Sequence, residues 1–365
     1  MAHLELVHLT KRFGANTAVS DLSLDIADRE FLVLLGPSGA GKTTTLRCVA
    51  GLESPEAGQV KFDGQPVAGV SPAERDVAMV FQTYALYPRK TVFQNIAFPL
   101  QARKLSRADI DRQVKQVAGL LHIEHLLQRR PAQLSGGEQQ RVALGRAMVR
   151  RPKVFLMDEP LTNLDFKLRV EMRTELNHLH HELNTTWFYV TNDQVEAMSM
   201  ADRIAVLQKG RLQQVGTPRQ VYDHPVNQFV AGFVGHPRMN FLEGALVVDG
   251  RAVLRAPDGS WTVPLTDRLR DCILRAGRER AVLGVRPEDL ELKTEAGPGR
   301  LAGEVFVFEL LGDRTIVDVR LGQTIVKVRT APTVTVTAGQ PVWLTPNMER
   351  LHLFDAVTSQ SLGDQ

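Results

Sequence analysis

The most specific chemistry in this 365-residue chain sits in one short run, Gly36-Pro37-Ser38-Gly39-Ala40-Gly41-Lys42-Thr43. It matches in full the glycine-rich loop that cradles phosphates. The glycines allow unusual backbone angles, so amide N–H groups across Ser38, Gly39, Ala40 and Gly41 can point inward at phosphate oxygens. Lys42 supplies a point charge for the outer phosphates of a nucleoside triphosphate, and the Thr43 hydroxyl is placed to ligate Mg²⁺. A helix opening at Lys42, Thr43 and Thr44 would turn its positive end toward the same anion. Far downstream, the apolar run Val154-Phe155-Leu156-Met157 ends in Asp158-Glu159. Adjacent acids at a strand end put Asp158 near the metal and Glu159 toward the terminal phosphate, as general base or as the group that orients water.

The elements that must position these residues can be read around them. Phe31-Leu32-Val33-Leu34-Leu35 is a continuous apolar run suited to a strand buried on both faces. The helix after the loop should run through Leu46 and Val49 and stop at Gly51. Val77 to Phe81, Val154 to Met157 and Trp187 to Thr191 read as further buried strands. Leu4, Leu6 and His8 alternate with Glu5, Val7 and Leu9 in an early strand, and Leu22 to Ile26 form another. Asp63-Gly64 and Lys209-Gly210 mark hairpins. Ile110, Val114, Val117 and Leu121 fall at helical spacing behind a capping Ser106. A second helix follows Ser135, from Arg141 to Val149, and a long one carries Leu168, Met172, Leu176, Leu179 and Leu183 and stops at Asn184.

The order of motifs identifies a family. A phosphate loop, then Leu134-Ser135-Gly136-Gly137-Glu138-Gln139-Gln140-Arg141, then a strand ending in two acids, resembles the ATP-binding-cassette ATPases. The likeness rests on six motifs in fixed order and covers nearly the whole chain. It implies an α/β P-loop NTPase core with an inserted helical subdomain at about 88–150, using ATP and Mg²⁺. It implies that Phe13 stacks on adenine, and that Gln82 reaches Mg²⁺ and the attacking water. It also implies that Thr43, Gln82 and Asp158 surround the metal, and that Asp165 lies in an interface loop signalling between two ATP sites. Ser135, Gly136, Gly137 and Glu138 would close over ATP held by a second copy, so a homodimer is implied. Docked on two transmembrane permease subunits, and through them on an extracytoplasmic solute-binding protein, such a dimer drives import. One position departs from the pattern. Where family members carry a histidine that contacts the terminal phosphate, this chain has Asn192, which is neutral, shorter and unable to take up a proton near neutral pH. ATP binding should survive this change while hydrolysis slows.

Tyr84-Ala85-Leu86-Tyr87-Pro88, Thr91-Val92 and Met239-Asn240-Phe241 resemble the carbohydrate-uptake branch. An importer for a polyamine, iron or sulfate-type solute, and a regulatory ATP-binding subunit with little turnover, stand as alternatives. From about residue 239 the chain changes to short strands and turns, among them Gly303 to Leu311, Thr315 to Leu321 and Thr324 to Arg329. Together with Gly284 to Asp289 and Leu351 to Asp355, this resembles the small all-β, OB-like accessory barrel of importer ATPases. The expected domains are therefore 1–238 and 239–365.

Bulk composition agrees with a peripheral protein. Hydrophobic residues at 43% and charged residues at 23% suit a globular chain with a substantial core. A net charge of +3, without a basic tract, argues against nucleic acid as a partner. Cys48 and Cys272 form no metal-spaced pair and suit a reducing compartment. No run of about 20 apolar residues is present to span a bilayer; the family resemblance implies a location at the cytoplasmic face of the inner membrane, reached through a partner.

Overall fold

The computed structural model describes residues 2–249 and 251–363. The chain divides into two compact units, Met1–Pro218 and Arg219–Gln365.

The first unit begins with β1 (Leu4–Phe13) and β2 (Asn16–Ile26), an antiparallel pair longer than the alternation alone suggests. A register shift between Leu6 and Leu9, with His8 at φ 49°, turns His8 outward and lets Leu9 join the core. After β3 (Phe31–Leu35), the phosphate loop leads into α1 (Lys42–Ala50), closed by Gly51 at φ 77°. β4 (Ala57–Phe62) and β5 (Gln65–Pro66) turn at Asp63-Gly64, both with positive φ. β6 (Val77–Val80) is followed by the helical insertion, which holds α2 (Val92–Ala102), α3 (Arg107–Leu120) and α4 (Gly136–Met148). Ser106 caps α3 and Ser135 caps α4. α2 was not legible from periodicity because Pro99 interrupts it, although Thr91 and Gln94 form a capping box at its start. Then come β7 (Val154–Asp158), α5 (Phe166–Leu183), β8 (Thr186–Thr191), α6 (Gln194–Met200), β9 (Arg203–Gln208) and β10 (Arg211–Gly216). The main sheet has the order β10-β9-β3-β8-β7-β6, parallel except for the β9–β10 hairpin. A second, antiparallel sheet has the order β2-β1-β4-β5. Every residue of β3, β7 and β8 is buried, which is why these runs carry no polar alternation.

The second unit opens with α7 (Pro218–Asp223) and α8 (Gln228–Phe233). Residues 219–238, counted with the first domain in the sequence reading, pack here with the second unit: Ala231 shares a small core with Met239, Val282 and Phe354. β11 (Asn240–Asp249), β12 (Arg251–Arg255), β13 (Thr262–Pro264), β14 (Arg280–Val285) and, later in the chain, β20 (His352–Asp355) form one antiparallel sheet. β15 (Leu290–Lys293), β16 (Leu301–Leu310), β17 (Thr315–Leu321), β18 (Thr324–Thr330) and β19 (Pro341–Pro346) form the other. One apolar core is shared by both sheets. The unit is not purely β: α9 (Asp267–Arg275) buries Leu269, Cys272 and Ile273 against it. Its apolar residues are few and flanked by arginines, so the segment carries too short a stripe to read as a helix beforehand.

Candidate functional site

The phosphate loop is drawn tight against its neighbours. A Cβ on Gly36 would lie 2.4 Å from the Leu207 carbonyl oxygen, and one on Gly41 would lie 2.2 Å from that of Ala18. Gly41 also sits at φ 101°, so only glycine serves at this point. Most longer helices of this unit begin with a side-chain cap, but α1 has none. Its first-turn amides are therefore left for an anion. Lys42 is buried, its Nζ donating to the carbonyl oxygens of Gly36 (2.9 Å) and Pro37 (3.1 Å).

The strand ends bring the acids to the same place. Thr43 Oγ1 donates to Asp158 Oδ1 at 2.8 Å, across 115 residues of sequence. Lys42 Nζ lies 3.4 Å from Glu159 Oε1. Burial pushes the Asp158 carboxyl above the usual carboxylate range. The Thr43 hydrogen bond opposes that shift, and the neighbouring Glu159 charge adds to it. A divalent cation between Thr43 and Asp158 would relieve this carboxylate. One hydroxyl and one carboxylate, completed by phosphate oxygens and water, suit Mg²⁺, which rarely takes an all-protein cage. No group of three or more His, Cys, Asp or Glu able to hold a metal occurs among the described residues. Glu159 adopts φ 45°, a left-handed conformation uncommon for a residue with a side chain, and its N–H donates to the Val190 carbonyl at 2.9 Å.

The remaining candidates lie on loops around this centre or at its rim. Gln82 is exposed two residues past β6, and its carbonyl accepts from Asn163 Nδ2 at 2.9 Å. Asn192 occupies the bend after β8, exposed, and its side chain has no hydrogen-bond partner among the described residues. Ser135 and Glu138 close a reciprocal cap on α4: Glu138 N–H donates to Ser135 Oγ, and Ser135 N–H donates to Glu138 Oε2. That second bond holds the Glu138 carboxyl below its usual range. A Cβ on Gly137 would meet the Leu168 side chain at 2.7 Å, so α4 and α5 pack closely there. Asp165 caps α5, accepting from Leu168 N–H at 2.9 Å. Phe13 is 48% exposed at the end of β1, with Lys11 Nζ 5.0 Å from its ring. The single chain thus gathers Lys42, Thr43, Asp158 and Glu159, whereas among the described residues Ser135, Asp165 and Phe13 make no hydrogen bond or ring contact to that cluster.

The side chains behind these loops carry no motif that marks them in the sequence. Tyr189 and Thr191 on β8 both donate to buried Glu196 Oε2, at 2.8 and 2.7 Å, and Thr191 Oγ1 accepts from Asp193 N–H. Arg169 reaches the Leu164 carbonyl (3.1 Å) and Asp193 (3.4 Å). The polar threonine ending an otherwise apolar strand was the one available signal.

This fold and cluster define a P-loop nucleotide-binding protein joined to a β accessory unit. The sequence pattern of the ABC transporter family matches residues 19–162, and that of the TOBE domain matches residues 283–354. The chain is 48% identical to the trehalose/maltose import ATP-binding protein of Thermococcus litoralis, over 99% of this chain and 100% of that one. It is 47% identical to the sulfoquinovosyl glycerol transport ATP-binding protein of Agrobacterium fabrum, with 99% and 100% covered. With the sn-glycerol-3-phosphate import ATP-binding protein of Salmonella typhi it shares 46% identity, over 99% of each. Among solved structures, a dimeric bacterial ABC transporter cassette superposes with a TM-score of 0.54 at 29% identity, covering 59% of this chain and 99% of that one. The chain belongs to the ATP-binding proteins of ABC transporters. It is an ATPase of the transporter type and uses ATP with Mg²⁺.

Proposed function

We propose that this chain energises the import of a carbohydrate-type solute as one of two ATPase subunits docked on a pair of membrane permease subunits. The observation that carries the chemistry is the Lys42–Thr43–Asp158–Glu159 cluster at the C-terminal ends of β3 and β7. Lys42 and the amides of Ser38 to Thr44 hold the phosphates. Thr43 and Asp158 would hold Mg²⁺, and Gln82 would reach toward the metal and the attacking water. When bound, the metal would neutralise charge on the phosphates. Glu159 takes the proton of water, or orients it, as it attacks. Phe13 offers its exposed ring to adenine. Ser135, Gly136, Gly137 and Glu138 present the N-terminus of α4 to ATP on a second copy, and Asp165 lies in the loop between the two sites. The solute class is supported by relatives whose names specify trehalose/maltose, sulfoquinovosyl glycerol and glycerol phosphate. A second copy is supported by the dimeric cassettes of similar fold. No helix among the described residues is long and apolar enough to cross a membrane, which suits a subunit held at the inner face of the cell membrane by its permease. An extracytoplasmic binding protein would deliver the solute. We place the functional division near residues 238–239, between α8 and β11.

Asn192 sets the rate in this reading. An exposed, unpaired amide at the bend after β8 offers one neutral donor where an imidazole would add charge in the transition state. Steady-state hydrolysis of the parent beside Asn192→His, with Glu159→Gln as the blank, is the test. The histidine variant is expected to be roughly 10²–10³-fold faster. Equal rates for parent and histidine variant would show that another group makes the contact. A parent no faster than the blank would favour the second reading, a regulatory subunit clamped by ATP.

A further inference from the structure

The segment between β6 and α2 is held in a shape its residues do not favour. Tyr84 and Ala85 are adjacent and both left-handed, at φ 58° and 47°. Side-chain-bearing residues rarely adopt that region, and two in succession require outside support. The support comes from one residue of α4. Arg146, three turns beyond Ser135, donates through Nη1 to the Ala85 carbonyl at 2.7 Å and through Nη2 to the Tyr84 carbonyl at 2.8 Å. Its guanidinium also lies 5.4 Å from the Tyr87 ring centre. The far end of the segment is fastened just as firmly. Fully buried Asn95 on α2 accepts from Tyr87 N–H and donates to the carbonyls of Tyr87, Lys90 and Thr91. α2 and α4 are themselves in close contact beside Arg146, where a Cβ on Gly145 would meet Ile96 at 3.2 Å. On the other side, Gln82 is tied to Asn163, in the loop between Glu159 and Asp165.

We infer that Arg146 is a positioning residue that makes the helix beginning at Ser135 and the segment following Gln82 move as one body. A phosphate engaged at the start of α4 is thereby felt at Gln82 and at the exposed segment around Tyr87. A planar, always-charged fork spanning two successive carbonyls gives such a tie direction as well as strength, which a lysine would not. This inference rests on the reading of Ser135 and Gln82 as ATP-facing.

The test uses the full chain with Glu159→Gln, so that ATP binds without turnover, and Arg89→Cys carrying an environment-sensitive fluorophore. Cys48 and Cys272 are buried, so the label goes to the exposed position 89. ATP affinity is measured separately. Arg146→Gln is expected to bind ATP as the parent does while most of the label's response to ATP is lost. Ala85→Gly relaxes the left-handed residue without restoring the tie. Added to Arg146→Gln, it is expected to recover thermal stability but not the response. A full response in Arg146→Gln would overturn the inference. So would recovery of the response by Ala85→Gly, since Arg146 would then only maintain loop shape. A parent that binds ATP with a silent label also overturns it. A parent that binds no ATP overturns the reading of the site and the tie together, and the affinity measurement tells that failure apart.

Discussion

Glu159 shows what the site demands of a single residue. Its φ of 45° places the carboxylate beside Lys42, at 3.4 Å, instead of continuing β7, and glycine would hold that angle with less strain. Strain of this kind costs on the order of 1–3 kcal/mol and persists where function requires it. Glu159→Gly is therefore expected to leave the melting temperature unchanged or raised, by up to ~1 kcal/mol in stability. Its ATP turnover should fall by roughly 10²–10⁴-fold. Calorimetry and phosphate release on the same sample check both halves, and a large loss of stability would remove the strain argument. Asp158 and Lys42 were legible as a pair of motifs because their residue types are dictated by phosphate and metal. The left-handed turn at Glu159 was not, because nothing local to Asp158-Glu159-Pro160 demands it. It follows from the hydrogen bond to Val190 on the neighbouring strand.

Elements are specified by their ends as much as by their faces. The caps at Ser106, Ser135 and Asp165 each hold an orphan amide, and two of the capping residues, Ser135 and Asp165, belong to the proposed ATP interface. In the accessory unit, β20 carries an ionisable group that should set acid stability. His352 stacks on Phe354, and burial pushes its imidazole down to about 4 from 6.5. The nearby charges of Arg286 and Arg350 and the His224 ring act in the same direction, and Asp223 opposes them. Because the folded value lies below the unfolded one, the fold binds this proton more weakly than the open chain. Stability is thus full above about pH 6.5 and is lost as pH falls toward 4, by roughly 3 kcal/mol. His352→Gln should flatten that decline in denaturant titrations run from pH 7 to 4.5. An unchanged slope would assign the acid sensitivity to other groups.

At the level of the molecule, two separate cores predict two separate responses. One gathers β1 to β4, α1 and the main sheet, and the other the two accessory sheets. In the proposed reading Mg-ATP binds the first unit, so saturating it at about a hundred times Kd should add ~2.7 kcal/mol to that unit. Scanning calorimetry should show one transition moved up by Mg-ATP and another moved down by mild acid. A single transition shifted by both would mean that the units melt together.

The chemistry and the buried frame are written locally in the chain. The phosphate loop, the paired acids and the uninterrupted apolar runs of β3, β7 and β8 each express a local necessity: amides aimed at an anion, oxygens for a hard cation, strands with no solvent face. Hairpins at Asp63-Gly64 and Lys209-Gly210 were legible for the same reason, since their positive φ values narrow the choice of residue. Tertiary structure alone decided the rest. It brought Thr43 to Asp158, turned His8 outward through a bulge, grouped residues 219–238 with the second unit and braced the Tyr84–Ala85 turn with Arg146. Each of these depends on a partner far away in the chain. A contact between distant residues leaves no period and no motif at either end, so it becomes visible only when the strands and helices that carry it are packed.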